Sequence, residues 1–330
     1  MMVCVCDIGG TNFRIATYSD GELEEIVRTK TPSHLNYSED EIKEIISSDI
    51  VKEFRQRKEK HPELNHLSVC FAGPVNNNGE VLASSVIFGT SLNNSFQLKD
   101  DLQKQLPDIH IHVVNDITAA AYRYMGDGNF CLITVSSSIG NKISINDQVI
   151  IDADGKTGEI GHYSILNDDF DIECTCGTGK NHVGMISSGR GIEIIGRMVA
   201  DRNGKFRKEY EDSVIFSNSN GCAEEITAEM IAEAADVNDV FAQKLVDYCT
   251  VPLAHEICLL ATALDLPRFI IIGGFALNCE YYLTSLKRNV KRKGIYNFSE
   301  SDIERLIVFG EKDDNHGLIG AGILANKLET

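Results

Sequence analysis

The sequence predicts an α/β protein made of two related halves. Three observations carry this. Apolar strands alternate with helical stretches along the chain. Each half opens with a strand, a small-residue turn and a second strand. The length, 330 residues, suffices for two ordinary domains sharing a cleft.

The elements follow in order. MMVCVCDIGG is a short apolar strand that ends in an acid and a glycine pair, and TNFRIATYSDG returns as a second strand with a turn at Asp20-Gly21. Ile42, Ile45, Ile46, Ile50 and Phe54 recur at helical spacing, so 41–58 is an amphipathic helix. LSVCFAGPV is a buried strand entering a Gly-Pro loop, and 97–106 is helical. IHVVNDITAAAYRY is a strand that ends at Asn115-Asp116 and starts an alanine-rich helix. The layout then repeats: NFCLITVSSSIGNKISINDQVII is strand, turn, strand and a further turn at Asn146-Asp147. Residues 188–200 and 227–263 are helical. RFIIIGGFAL is a buried strand ending at Gly273-Gly274 with a helix after it, and HGLIGAGILANKL is a closing helix with small residues on one face.

Composition narrows the function. Apolar residues make up 43% and charged residues 24%, with 27 Gly and only 6 Pro, which fits a folded globular chain. There are 31 Lys+Arg against 49 Asp+Glu, a formal net charge of −18. Neither a nucleic acid nor an anionic membrane surface is therefore expected as a partner. The basic run 287–293 reads as a solvated helix end. No apolar run approaching the ~20 residues of a membrane span and no signal peptide is apparent, so a reducing cytoplasm is the expected location. Most of the ten cysteines, such as Cys4, Cys6, Cys70, Cys131 and Cys258, sit in apolar stretches and read as small core residues. Cys174 and Cys176 lie instead in a polar loop beside histidines.

Three motifs carry chemistry. In Asp7-Ile8-Gly9-Gly10-Thr11-Asn12 a strand delivers an acid to a tight turn. The glycines let backbone N–H groups approach an anion, Thr11 and Asn12 add donors, and Arg14 adds charge. An ordinary hairpin turn is the bland alternative, and the full string favours phosphate binding. In Asn115-Asp116 a carboxylate at a strand end can take a proton from an alcohol attacking phosphorus, whereas alone the pair would read as a helix cap. In Gly158-Glu159-Ile160-Gly161-His162 an acid and a histidine three apart can face one polar ligand, or simply form a turn.

DIGGTNFR, FAGPV, NDITAAA, GEIGH, CTCG, SSGRG and IIIGG occur in the order found in the ROK family (repressor, open reading frame, kinase), which the chain resembles from its first strand to its last helix. The resemblance implies the actin-like, ribonuclease H-like, two-domain sugar kinase fold with a central cleft. The expected domains are 1–115, completed by the C-terminal helix 313–330, and 116–312. By the same resemblance Asp7, Gly9, Gly10, Thr11 and Asn12 form the first phosphate loop. Asn115 is a sugar contact and Asp116 the catalytic base and a sugar contact. Glu159 and His162 bind sugar hydroxyls, and Gly273 and Gly274 lie beside the adenosine. Ser137, Ser138 and Gly140 belong to a second phosphate loop, Ser136 to Gly140, where the family usually has a Gly-Thr-Gly type sequence. Serine hydroxyls are added there, at the cost of some backbone freedom.

Two departures bear on chemistry. Many ROK proteins hold zinc with the His of GEIGH and three Cys. Here His162, Cys174 and Cys176 are present, and the third Cys falls at His182, giving a His-Cys-Cys-His set. A metal-free loop with two inert thiols is the alternative. Two residues after that third Cys the family has a sugar-binding Glu, and here Gly184 stands there.

The resemblance implies an ATP-dependent, Mg²⁺-requiring kinase, with a structural Zn²⁺, acting on the primary hydroxyl of a hexose or hexose-like substrate, glucokinase-like. The alternatives are a C7-cyclitol 7-kinase or an amino-sugar (kanosamine) 6-kinase of a secondary-metabolite pathway. From another class comes a sugar-binding ROK regulator without catalysis. Repressors of the family carry a DNA-binding domain ahead of the phosphate loop, which here begins at residue 7. Expected partners are the sugar or cyclitol, ATP and a second copy in a homodimer.

Overall fold

A computed structural model describes residues 1–89, 92–165 and 169–329. Thr330, in the expected C-terminal segment, lies outside the described residues. In chain order the first elements are β1 (Val3–Ile8), β2 (Asn12–Ser19), β3 (Glu22–Lys30), α1 (Glu39–Lys60), β4 (His66–Phe71), α2 (Ser85–Phe88), α3 (Leu98–Gln105), β5 (His110–Asn115) and α4 (Asp116–Tyr122). Then come β6 (Phe130–Val135), β7 (Ile139–Ile145), β8 (Gln148–Val149), α5 (Gly184–Ser187), α6 (Gly189–Ala200), α7 (Arg207–Glu211), α8 (Val214–Asn218), α9 (Ala228–Asp236), α10 (Val240–Cys249) and α11 (Val251–Leu264). The last are β9 (Phe269–Ile272), α12 (Gly274–Leu277), α13 (Glu280–Lys293), α14 (Glu300–Leu306), β10 (Ile307–Phe309) and α15 (His316–Leu328).

The chain divides into two compact units. The first comprises Met1–Gly128, Ser144–Thr157 and Asp313–Thr330, and the second Asn129–Ile143 and Gly158–Lys312. A boundary at 115/116 would put α4 in the second unit. The division falls at Gly128 instead, because α4 packs on α15 and shares its buried alanine face with it.

Each half carries a five-stranded sheet with one strand order. The first runs β3-β2-β1-β4-β5 and the second β10-β9-β6-β7-β8. In the first, β1, β2 and β3 form an antiparallel meander, and β4 and β5 join parallel on the other side of β1. In the second, β6, β7 and β8 take the meander's places, β8 pairs antiparallel with β7, and β9 and β10 follow parallel to β6. Parallel neighbours need crossover connections, which the intervening helices supply. The turns at Asp20-Gly21 and Asn146-Asp147 have positive φ at both residues, as a two-residue hairpin of matching twist requires.

One face of the first sheet is covered by α1 and α3, with Ile42, Ile46, Ile50 and Phe54 packed on Ile8, Val69 and Phe71. The other face is covered by α15 and α4, with Leu318, Ala321 and Ala325 against Val3, Val5, Tyr18 and Ala119. Here the helices approach backbone to backbone. A Cβ on Gly320 would stand 1.7 Å from the Ala119 carbonyl oxygen, so no other residue fits without displacing a helix.

Polar contacts at the N-terminus of α15 fix its position in the first unit. Arg123 makes a bidentate pair with Asp313 at 2.6 and 2.7 Å. Arg123 Nη1 and Tyr124 Oη lie 3.2 and 3.1 Å from His316 Nδ1. A guanidinium only donates, so Nδ1 accepts and the neutral ring carries its proton on Nε2.

The stretch Val240–Leu264 is long and apolar enough to cross a membrane by length and composition, contrary to the expectation that no run approaches that length. It is two helices, α10 and α11, with Pro252 in the first turn of α11, and 56% of its most apolar window is buried. All ten cysteines are free thiols, and Cys4, Cys6, Cys70 and Cys131 are buried as expected, while Cys258 is only half-buried.

His316 contributes to the pH dependence of the first unit, beside His66 and His112, whose pKa values burial also lowers. Burial, then the charge of Arg123, pushes the pKa of His316 down to about 4, with Asp313 opposing. The folded value lies below the unfolded one, so stability is full above about 6.5 and is lost as pH falls toward 4, on the order of 3 kcal/mol in all. Asp313, held at about 2 by Arg123, changes charge only at lower pH. Chemical denaturation of His316→Gln at pH 7.5 and 5 should show a smaller loss on acidification than the unsubstituted chain. Equal losses would remove His316 from the acid response.

Candidate active site and metal centre

In the first unit β1 ends at Ile8 and the chain bends through Gly9-Gly10-Thr11 before β2 begins at Asn12. Asp7, the last but one residue of β1, is 8% exposed and ion-paired with Arg14 directly across the hairpin. Arg14 reaches Asp314 as well, at 3.1 Å, and burial of the guanidinium is outweighed by these carboxylates, which raise its pKa. The Cys70 thiol lies 3.4 Å from Asp7 Oδ1. Thr11 and Asn12 are exposed. The turn is pinned by Gly9 N–H donating to the Asn12 carbonyl at 3.0 Å and by Thr31 Oγ1 donating to the Gly9 carbonyl at 2.7 Å. Val86, half exposed, crowds Gly10 so closely that a Cβ there would come within 2.9 Å of it.

Asn115 and Asp116 join β5 to α4. Asn115 is the N-cap: its Oδ1 accepts from the Ile117 and Thr118 N–H groups, both at 3.0 Å. Its Nδ2 donates to the Gly73 carbonyl at 3.0 Å and to Asp116 Oδ1 at 2.9 Å. Asp116 Oδ1 accepts from the Ile117 N–H too, at 2.9 Å. The cap is therefore real, and it orients the acid. With both its N–H bonds engaged, Asn115 acts on Asp116 rather than as a free donor. Burial raises the pKa of the Cys70 thiol, and the charges of Asp7 and Asp116 raise it further.

In the second unit Ser136, Ser137 and Ser138 form the exposed turn between β6 and β7. None of them has a positive φ, so serine fits where glycine is usual. Gly140 departs from expectation: it is buried inside β7, beyond the turn. Ser188 and Gly189, quoted in SSGRG but given no role from the sequence, hold this loop. Ser188 Oγ donates to the Ser137 carbonyl at 3.2 Å and caps α6 by accepting from Gly191 N–H, and Gly189 N–H donates to the Ser136 carbonyl at 2.8 Å. Gly273, at φ +100, ends β9 beside the Val135 carbonyl, and Gly274 opens α12, where an added Cβ would stand 4.0 Å from Ser136 Oγ. The strand-end glycines and the serine turn thus converge within this unit.

GEIGH lies flat on β7. Asn141 N–H donates to the Gly158 carbonyl at 2.9 Å, and a Cβ on Gly161 would stand 2.1 Å from the Ile139 carbonyl. Glu159 and His162 are both exposed, with Oε2 and Nε2 3.9 Å apart. The other nitrogen, His162 Nδ1, lies 3.6 Å from Cys174 Sγ, so one ring serves two neighbours. Cys176 Sγ lies 3.6 Å from His182 Nδ1. One ligand atom from each of His162, Cys174, Cys176 and His182 falls within 4.8 Å of every other. A tetrahedron with bonds of about 2.0–2.3 Å has edges of roughly 3.3–3.8 Å, which these separations approach. Burial opposes ionisation of Cys176, but hydrogen bonds from Thr178, Cys174 and His162 outweigh it and bring the thiol down to about 7. Cys174 is buried, more than its polar sequence suggests, and its pKa is raised by that burial.

Gly184, at the start of α5, packs on the Gly161 carbonyl, one residue before His162. A Cβ there would lie 3.0 Å from that oxygen. No carboxylate stands at this position, next to the exposed Glu159 and His162.

The sequence profile of the ROK family matches residues 3–328. A C(7)-cyclitol 7-kinase of Streptomyces hygroscopicus subsp. limoneus is 33% identical over 333 residues, covering 97% of this chain and 93% of its own. A glucokinase of Halalkalibacterium halodurans is 27% identical, covering 71% of this chain and 68% of its own. The crystal structure of a ROK family glucokinase from Streptomyces griseus, in complex with glucose and AMPPNP, superposes with a TM-score of 0.75 at 21% identity, covering 99% of this chain and 100% of that one. The fold is thus the actin-like α/β fold of sugar kinases.

Proposed function

The chain belongs to the ROK family, and we propose that it is an ATP-dependent kinase phosphorylating the primary hydroxyl of a hexose-like cyclitol in preference to glucose. The observation that carries the substrate preference is Gly184. A carboxylate there would grip two hydroxyls at the anomeric end of a sugar, and a cyclitol has no anomeric centre. The 33% identity to a C(7)-cyclitol 7-kinase across nearly the whole chain supports the same reading. Glucose or another hexose is the second reading, favoured by the likeness to a glucokinase and compatible with the exposed Glu159–His162 pair, which offers a hydroxyl-binding acid and imidazole to either substrate.

In this reading the acceptor hydroxyl gives its proton to Asp116 as its oxygen bonds to the γ-phosphorus and the bond to ADP breaks. Asn115 and the Ile117 N–H hold the carboxylate for that transfer. Glu159 and His162 Nε2 bind other hydroxyls and fix which one faces phosphorus. The Gly9–Asn12 turn, and in the second unit the Ser136–Ser138 turn with the start of α6, bind phosphates through backbone and hydroxyl donors. Gly273 and Gly274 leave room for the nucleoside. Asp7, oriented by Arg14, is the acid that would hold Mg²⁺, which when bound neutralises phosphate charge. The retained Asp116 speaks against a regulator without catalysis.

The S₂N₂ donor set and its spacing fit zinc, held by His162 Nδ1, Cys174, Cys176 and His182. Zinc bound there cross-links the 172–182 loop to the GEIGH segment. His162 is then held through Nδ1, which leaves Nε2 aimed toward Glu159.

Asp116→Asn should lower kcat by roughly 10²–10⁴-fold with substrate affinity largely kept. Near-normal kcat would remove Asp116 from the mechanism. Elemental analysis of purified protein should find about one zinc per chain. Cys176→Ser should lose the metal and lower Tm, and protein without zinc at full stability and activity would exclude the ion. Across glucose, 1-deoxyglucose, kanosamine and a C7-cyclitol, kcat/KM should be highest for the cyclitol. Gly184→Glu, which must displace the Gly161 carbonyl by a few tenths of an ångström, should shift the ratio toward glucose by about tenfold or more. Glucose preferred by orders of magnitude in the unsubstituted enzyme would make it a plain glucokinase.

A further inference from the structure

We propose that the second unit carries a separate binding site for a small organic ammonium ion with an apolar body, in the cavity that α11 forms with the chain following His162. The cavity has a volume of about 710 Å³, within the usual range for small-molecule sites. All its lining residues belong to the second unit, and none takes part in the phosphoryl transfer described above.

Glu256 carries the inference. It lines the cavity from α11, is only 5% exposed, and its carboxyl makes no hydrogen bond or ion pair among the described residues. Neither of its oxygens is among the fully buried polar atoms left without a partner, so the carboxyl opens to the cavity, where it finds no hydrogen-bond partner among the described residues. Burial alone raises its pKa, which is the mark of a carboxyl lacking a counter-charge. The other lining carboxylate, Asp169, is already engaged by Lys205 at 3.1 Å and by the Tyr248 hydroxyl at 2.9 Å. The vacancy in the charge pattern is therefore specific to Glu256.

The rest of the wall defines the ligand. Tyr163 presents an aromatic ring, which attracts a cation to its face, whereas the Tyr248 ring already has Lys205 Nζ over it at 5.2 Å; Val251, Pro252 and Leu259 supply apolar surface for the ligand's body. An ammonium group with three donors satisfies the carboxylate of Glu256 and ionises it on binding. A neutral alcohol of the same shape gains the apolar contacts and forgoes the charged pair.

The test uses 2-phenylethylammonium and its neutral counterpart 2-phenylethanol, titrated calorimetrically into the full chain. The ammonium should bind about tenfold to hundredfold more tightly than the alcohol. Glu256→Gln, which keeps the shape, should abolish that difference while leaving kinase turnover unchanged. Leu259 is 56% exposed, so Leu259→Trp should fold and should obstruct both probes. Equal affinity for the two probes, no measurable binding, or undiminished ammonium binding by Glu256→Gln would overturn the proposal. A light-scattering result in which Leu259→Trp dissociates an oligomer would assign the cavity to a second copy of the chain and overturn it as well.

Discussion

The first unit depends on how closely α15 lies against α4. Gly320 lets the two helices meet at the Ala119 carbonyl, nearer than any side chain would permit. Everything that places the chemistry follows from that contact. α4 begins at Asp116, so its axis sets where the acid stands. The segment that starts α15 carries Asp314 to Arg14, and Arg14 in turn holds Asp7. His316 ties the same turn of α15 to Arg123 and Tyr124 at the far end of α4. A shift of either helix would therefore be felt at both acids. The dispersion energy of the contact is modest, but its steric tolerance is narrow, and that is what makes it decisive.

The second unit uses the same device with different parts. GEIGH is pressed onto β7 because Gly161 brings backbone against backbone, which leaves Glu159 and His162 pointing outward. The serine turn is closed by its own Ser136 N–H to Ser138 carbonyl bond at 3.0 Å and is held besides by the cap of α6, through Ser188 and Gly189. His162 stands where the two roles of the loop meet, one ring nitrogen toward the cysteine pair and one toward Glu159. Orientation of an imidazole by whatever holds its other nitrogen is a general property of histidine sites.

Much of this was legible in the residues. The two hairpins showed in their turn chemistry, Asp20-Gly21 and Asn146-Asp147, which adopt the positive φ those residue types tolerate. The paired halves appear in the structure as one strand order used twice. What the sequence hid were matters of tertiary contact. α4 looked like the start of the second domain because NDITAAA follows a strand end, and only its packing on α15 assigns it to the first. The resemblance put Gly140 in the second phosphate loop, yet the turn ends at Ser138, β7 begins at Ile139 and Gly140 is buried within it. The cap at Asn115, by contrast, was open to reading from the residue types beside its expected role as a sugar contact, and its hydrogen bonds show it. Short elements such as α5, α7 and β10 have too few residues for periodicity to show.

The first unit is discontinuous, and that has a bearing on how the molecule is made. The helix that begins at Asp116 is synthesised early, but the helix that docks against it appears only after all of residues 158–312 have left the ribosome. Until then the alanine face of α4 and the Val3–Val5 side of β1 have no cover in their own unit. Such long-range closure is slow compared with local folding. The Gly9–Asn12 turn and Asp116 thus reach their final places as one of the last events of biogenesis, and a nascent chain interrupted before Asp313 holds an exposed apolar seam that invites chaperones or neighbours.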